Sequence, residues 1–224
     1  MVYGEIGLRL NLNSILIATL ISARLYLSLK NLGYLSFWTD EYSHVFAALG
    51  ILEVGKPQLP NGKLYWRAIL NTLFVSLSFK LFGISEFSAR FSSAIFGALS
   101  ILVCYLFGRE LKNPLFGLIA SAILTFDLWS IEWARLARMY AQFQFFYLLT
   151  LYLFYLFLKK GGKKWFSLTL ISFTFSVLSH RLAFTLLPSA LLSYLFYKGM
   201  ESLEKRKFFI LIFYSPDNCC AENN

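Results

Sequence analysis

Residues 139 to 158, MYAQFQFFYLLTLYLFYLFL, contain no Asp, Glu, Lys or Arg. A helix needs about 20 such residues to cross the hydrocarbon core of a bilayer. In that medium every backbone N–H and C=O must be satisfied within the segment, which leaves the helix as the economical solution. The chain is therefore expected to be all-α, a polytopic membrane bundle. Further spans are expected at about 10–29, interrupted by Arg24, at 89–110, and at 113–131, which carries Asp127 near its end. Residues 165–180 and 182–197 are shorter, meet at His180 and Arg181, and suggest a tight hairpin with Pro188 in the second arm. The apolar run Phe208 to Tyr214 begins like a seventh helix and gives way to the polar SPDNCCAENN. Six to seven spans result, with residues 1–207 as one transmembrane module and 208–224 as the start of a helix and an atypical tail.

Composition agrees with this reading. Hydrophobic residues make up 58% of the 224 and charged residues 15%, against roughly 25% charged in soluble domains. The net charge of +9 would in a soluble protein suggest nucleic acid. Here the basic residues fall in the connections: Arg109 and Lys112, the lysines of KKGGKK at 159–164, and Lys198, Lys205, Arg206 and Lys207. Lys and Arg excess marks the cytoplasmic side. The connections carrying only Arg135, Arg138 and Arg181 then face outward, and no nucleic-acid partner is implied. The first thirty residues lack the pattern of a cleaved signal and read as a retained anchor. Cys104, Cys219 and Cys220 have no metal-ligand spacing.

Segment 64–82, LYWRAILNTLFVSLSFKLF, is ambiguous because Arg67, Asn71 and Lys80 punctuate an apolar stretch. Burying Arg or Lys near a helix centre costs about 2.5 to 3.5 kcal/mol, less near the ends, so a span is allowed. An amphipathic helix lying at the interface is the alternative.

Chemistry is expected on the outward side. Asp40 and Glu41 follow Trp38 in the long connection before Phe91, and paired carboxylates there can bind a cation or take a proton from a hydroxyl. Asp40 can equally start a helix over about 41–54, where the macrodipole favours acids. The two roles are compatible. His44, four residues on, lies one turn from Asp40. In SIEWARLARMYAQ, residues 130–142, Glu132, Arg135 and Arg138 recur every third position, with Tyr140 beyond. At helical spacing they share one side. Two guanidiniums there can clamp a phosphate, or can form an interfacial Arg and Trp belt with a Glu132 to Arg135 ion pair. His180 and Arg181 on the same face offer another cation or a proton shuttle.

The order WTDE, GKPQLPNGKLYWR, FKLFGISEFSARFSSAIFGALS and SIEWARLARMYA resembles the N-terminal region of GT-C-fold membrane glycosyltransferases. The resemblance is closest to the dolichyl-phosphate-mannose-protein mannosyltransferase-like superfamily, which includes aminoarabinose transferases, and covers residues 8 to 200. It implies a plasma-membrane enzyme that moves a sugar from a polyprenyl-phosphate donor to a hydroxyl acceptor on the extracytoplasmic face, with inversion. It implies Asp40 as the base, Glu41 assisting acceptor or sugar binding, and Arg138 with Arg135 near the donor phosphate. Glu132, Tyr140, His180, Arg181 and His44 are further candidates for substrate contact. Relatives often carry an acid where this chain has Met139 and Tyr140, which leaves Glu132 or Asp127 as substitutes. The resemblance names no particular cofactor and leaves a divalent metal as a candidate. It also implies that segment 64–82 lies at the interface with the N-terminus cytoplasmic. Two spans then separate Asp40 from Arg138, and they share a face; a crossing segment would part them. Two further readings are a non-enzymatic transporter or flippase of lipid-linked sugars, and an inactive truncated form that ends within its seventh helix.

Overall fold

The computed structural model describes residues 2–201. Among them the chain forms α1 (Val2–Leu29), α2 (Thr39–Val54), α3 (Ile69–Phe82), α4 (Glu86–Leu111), α5 (Pro114–Phe126), α6 (Leu128–Ala134), α7 (Tyr140–Lys160) and α8 (Lys163–Ser179). A 3-10 turn, Arg181–Thr185, and α9 (Leu186–Glu201) follow. The all-α expectation holds. Several boundaries are set by local chemistry. The Ser85 hydroxyl accepts the Ser88 N–H at the start of α4, and the Asn113 amide oxygen accepts the Phe116 N–H ahead of Pro114 at the start of α5.

The middle of the bundle is α4, against which α1, α3, α5 and α7 pack. Its buried side is built of small residues, among them Ala89, Ser93, Gly97, Ser100 and Gly108. Small side chains let backbones approach where lipid supplies no hydrophobic drive between helices. The approach is closest between α4 and α5, where a Cβ on Gly108 would stand 2.8 Å from the Cα of Gly117. On the other flank, Thr150 of α7 donates to the Ser172 hydroxyl of α8 at 3.0 Å.

Fewer helices than the expected six to seven are long and apolar enough to cross a membrane. Three qualify among the described residues: Leu12–Leu29 of α1, α4 and α7. A fourth exists only if α5 and α6, bent by 63° where a continuous 113–131 span was expected, count as one broken crossing. At its 17 residues α8 extends roughly 25 Å, short of the roughly 30 Å core. The first turn of the expected 182–197 span is 3-10, leaving the 16 residues of α9. The expected seventh helix at 208 lies outside the described residues.

The bend has an identifiable cause. The Asp127 carboxylate accepts the Ser130 N–H at 2.7 Å and so caps α6. The fully buried Arg24 donates to the carbonyls of Leu124 and Thr125, and to the Ser130 carbonyl and hydroxyl at 2.5 and 2.7 Å. Both charges that interrupt expected spans thus meet at one place and satisfy the backbone groups a broken helix frees.

The expected helix at 64–82 starts only at Ile69. Ala68 sits at φ 50, ψ 49, a left-handed conformation that a helix cannot continue through, and residues 64–67 are not helical.

Candidate active site

The first turn of α2 carries two acids that point in different directions. Glu41 is fully buried, and Arg90 of α4 meets it with two hydrogen bonds, Nε to Oε1 at 2.9 Å and Nη2 to Oε2 at 2.8 Å. Oε1 also accepts the Ala137 N–H at 2.6 Å, and Oε2 the Trp38 N–H at 2.8 Å. Helix capping therefore falls to Glu41, reaching back to the N-cap residue Trp38, and not to Asp40. Burial pushes the Glu41 carboxyl up, but the Arg90 bonds and the Ala137 and Trp38 N–H groups outweigh it and hold the group below its ordinary value. Arg90 spends its remaining donors on the carbonyls of Leu32, Leu35 and Ser36. One buried ion pair thereby ties together the loop after α1, the start of α2, α4 and the loop after α6.

Asp40 turns outward, its side chain 63% exposed, and its Oδ2 accepts from Arg138 Nη1 at 2.5 Å across 98 residues of sequence. Arg138 is itself only 12% exposed. Its guanidinium lies 5.0 Å from the Tyr140 ring and 6.0 Å from the Trp133 ring, and its backbone carbonyl accepts from Ser93. The Arg138 Nε is buried without a partner. Tyr140 in turn faces His180 at 5.8 Å, and the His180 Nδ1 accepts the Leu182 N–H. His44 is buried, with Nδ1 unpartnered and its ring edge-on to Tyr65 at 5.3 Å. Burial, then the fields of Arg138 and Arg67, push His44 down to about 4, so it is neutral near pH 7. His180, in the connection beyond α8, is lowered by the same causes.

Asp40, Arg138, Tyr140, His180 and His44 are thus brought to one end of the bundle. Arg135 lies in the same connection but is engaged elsewhere: α6 stops at Ala134, the helical spacing lapses, and Arg135 Nη1 donates to the carbonyls of Leu27, Ser28 and Lys30 at the end of α1. Glu132 is exposed and unpaired with Arg135, Arg181 is exposed, and Glu41 lies inside the protein beneath Asp40. Asp127 is engaged at the α6 cap. Among the described residues no group of three His, Cys, Asp or Glu side chains converges as a metal site would require. Arg90 is not among the residues singled out from the sequence, although its signal is there: an arginine in a small-residue apolar window needs a carboxylate partner.

Beside Tyr140 and Trp133 lies an open cleft of about 840 Å³ between α4, α5, α7 and the 3-10 turn, lined among others by Ile123, Leu124, Phe143, Tyr147 and Leu182. It is almost wholly apolar and shares two aromatic residues with the Arg138 site.

Fold and site together define an integral membrane protein of helical-bundle type with an acid and arginine pair at one end of the bundle. Its sequence places it more narrowly, because the profile of the family described as dolichyl-phosphate-mannose-protein mannosyltransferase matches residues 67–215, and the chain belongs to that family. It is also 30% identical over 200 residues to an uncharacterized protein of Aquifex aeolicus (strain VF5), a match covering 83% of this chain and 38% of that protein. The chain therefore spans well under half of that relative's length. No solved structure matches.

Proposed function

We propose that the protein transfers a sugar from a polyprenyl-phosphate donor to a hydroxyl-bearing acceptor on the extracytoplasmic face of the plasma membrane. The observation that carries this reading is the Asp40 and Arg138 pair, assembled from two connections 98 residues apart. In the resting arrangement each neutralises the other. Asp40 is the exposed member of the pair and is solvated on its own, so a donor phosphate can take Arg138 in its place. The freed carboxylate then accepts the proton of the acceptor hydroxyl. The acceptor oxygen forms its bond to the anomeric carbon as the bond to the phosphate oxygen breaks, with the electron pair leaving on the phosphate. Attack and departure on opposite faces invert the centre in one step and need one base.

Arg138 offsets the charge that grows on the departing phosphate, a stabilisation realised mostly in the transition state. Glu41 acts in this scheme by position: with Arg90 and the Ala137 N–H it sets Asp40 against Arg138. The apolar cleft beside Tyr140 has the lining a prenyl chain requires. Family membership and the apolar helices support the membrane and glycosyltransferase parts of the reading.

Incubating membranes that contain the protein with radiolabelled polyprenyl-phosphate sugars tests it. Transfer of label to a membrane or protein acceptor by the wild type, absent in Asp40→Asn, is the expected result. Wild-type turnover in Asp40→Asn rules out Asp40 as base.

A further inference from the structure

Arg138 has company at this end of the molecule. The connection between α2 and α3 doubles back on itself: the Tyr65 N–H donates to the Pro57 carbonyl at 2.7 Å, the Leu59 N–H to Lys63 at 2.9 Å, and Gln58 and Leu64 form an isolated antiparallel bridge. This flap rests directly on α2, since a Cβ on Gly50 would stand 2.4 Å from the Gln58 carbonyl oxygen. It brings the chain back to the acid-bearing end, where Tyr65 meets His44. Arg67 follows two residues later. It is exposed, and among the described residues it has neither a hydrogen bond nor an ion pair. The next residue, Ala68, holds the left-handed conformation. A residue with a Cβ enters that region at a cost of about 1–2 kcal/mol, so the surrounding fold, and not helix propagation, sets how the chain leaves Arg67.

The charges do not balance here. Glu41 is matched inside the protein by Arg90, and the exposed Asp40 is bonded to Arg138. Arg67 has no counterion, although its field and that of Arg138 reach the same three groups: both help lower His44 and His180 once burial has acted, and both oppose the burial-driven rise of Tyr65. Arg67 and Arg138 thus both act on His44, Tyr65 and His180, while the exposed carboxylate bonded there is that of Asp40 alone. Guanidinium pairs of this kind recognise phosphate oxygens through charge-assisted hydrogen bonds.

We propose that Arg67 is the second guanidinium of the donor-phosphate site, binding the phosphoester jointly with Arg138 from the flap that rests on Gly50. This rests on the polyprenyl-phosphate reading above and gives Arg67 the place that Arg135, occupied at the end of α1, does not fill. The bound phosphoester carries one negative charge and gains a second as the anomeric bond breaks. Two arginines therefore bind the departing phosphate more strongly than the intact donor.

Equilibrium binding to the purified full chain tests the assignment, with a short-chain prenyl phosphate and the matching prenyl alcohol as probes. The wild type is expected to bind the phosphate more tightly than the alcohol. Arg67→Ala is expected to weaken phosphate binding at least tenfold and leave alcohol binding and the melting temperature unchanged, with Arg67→Lys recovering part of the loss. Full phosphate preference in Arg67→Ala, together with its loss in Arg138→Ala, overturns the role of Arg67 and leaves the donor reading standing. No phosphate preference in the wild type overturns both. Inorganic phosphate and an anionic phospholipid serve as competitors; displacement by the phospholipid at the concentration at which unlabelled prenyl phosphate competes assigns the site to headgroups and overturns the proposal.

Discussion

Asp40 and Glu41 are adjacent in sequence and opposite in situation. Successive residues of a helix point about 100° apart, so the first turn of α2 sends one carboxylate out to Arg138 and the other in to Arg90. The outer pair is reached by solvent and uses one hydrogen bond between its partners; the inner carboxylate has both oxygens fully engaged and is shut off from water. Two neighbouring acids need not form a catalytic dyad. Here one is available to exchange partners, and the other fixes the frame in which the exchange occurs.

The contrast is broken most severely at Asp40. Asp40→Asn is expected to reduce sugar transfer by about 10² to 10⁴, the usual worth of a positioned base, while shifting stability by no more than about 1 kcal/mol. Parallel label-transfer and thermal-melting measurements distinguish the two effects, and a large loss of melting temperature would show that the outer pair is structural after all. Glu41→Ala should behave in the reverse sense. It strands the Arg90 charge in the interior, at a cost of about 3–5 kcal/mol, visible as a lower melting temperature or a failure to accumulate in the membrane. Combining it with Arg90→Met should restore part of that loss.

The same inner pair gives a pH dependence with a definite sign. Because the folded-state pKa of Glu41 is held below 4.5, its contribution is complete above that value and is lost as pH falls through the lowered folded pKa. Melting curves should therefore be insensitive to Glu41 near neutrality and drop on acidification, with Glu41→Gln lacking that component of the drop. Gly50→Ala ranks next: its methyl group displaces the flap from α2, at about 1–3 kcal/mol of overpacking, and should weaken prenyl phosphate binding several-fold with Asp40 and Arg138 untouched. The smallest effect belongs to Arg135→Gln. Loss of a cation at the end of α1 costs about 0.3–1 kcal/mol, and prenyl phosphate binding should stay at the wild-type value.

The helical character of the chain was legible because apolar run length reports it directly, whereas the meeting of Asp40 with Arg138 was legible only through the family resemblance, which keeps segment 64–82 at the interface. The number of crossings was not. Hydropathy cannot register that the peptide at Asp127 breaks a span, because the break depends on a guanidinium contributed by Arg24 from another helix. The third-position recurrence of Glu132, Arg135 and Arg138 implied a shared side, but only for a helix that continued past Ala134. In the sequence alone Arg67 bears only on membrane topology. Its nearness to His44 depends on a flap whose seating requires the missing side chain of Gly50, a contact visible only in three dimensions.

The Arg24 clamp also bears on the order in which the chain is built. All its hydrogen-bond partners lie 100 to 106 residues downstream. Until those residues are synthesised, α1 carries a guanidinium with none of its native acceptors, a burden of about 2.5–3.5 kcal/mol if it were already at the bilayer centre. Helix α1 is thus completed as a membrane element only when the bend between α5 and α6 arrives to receive it.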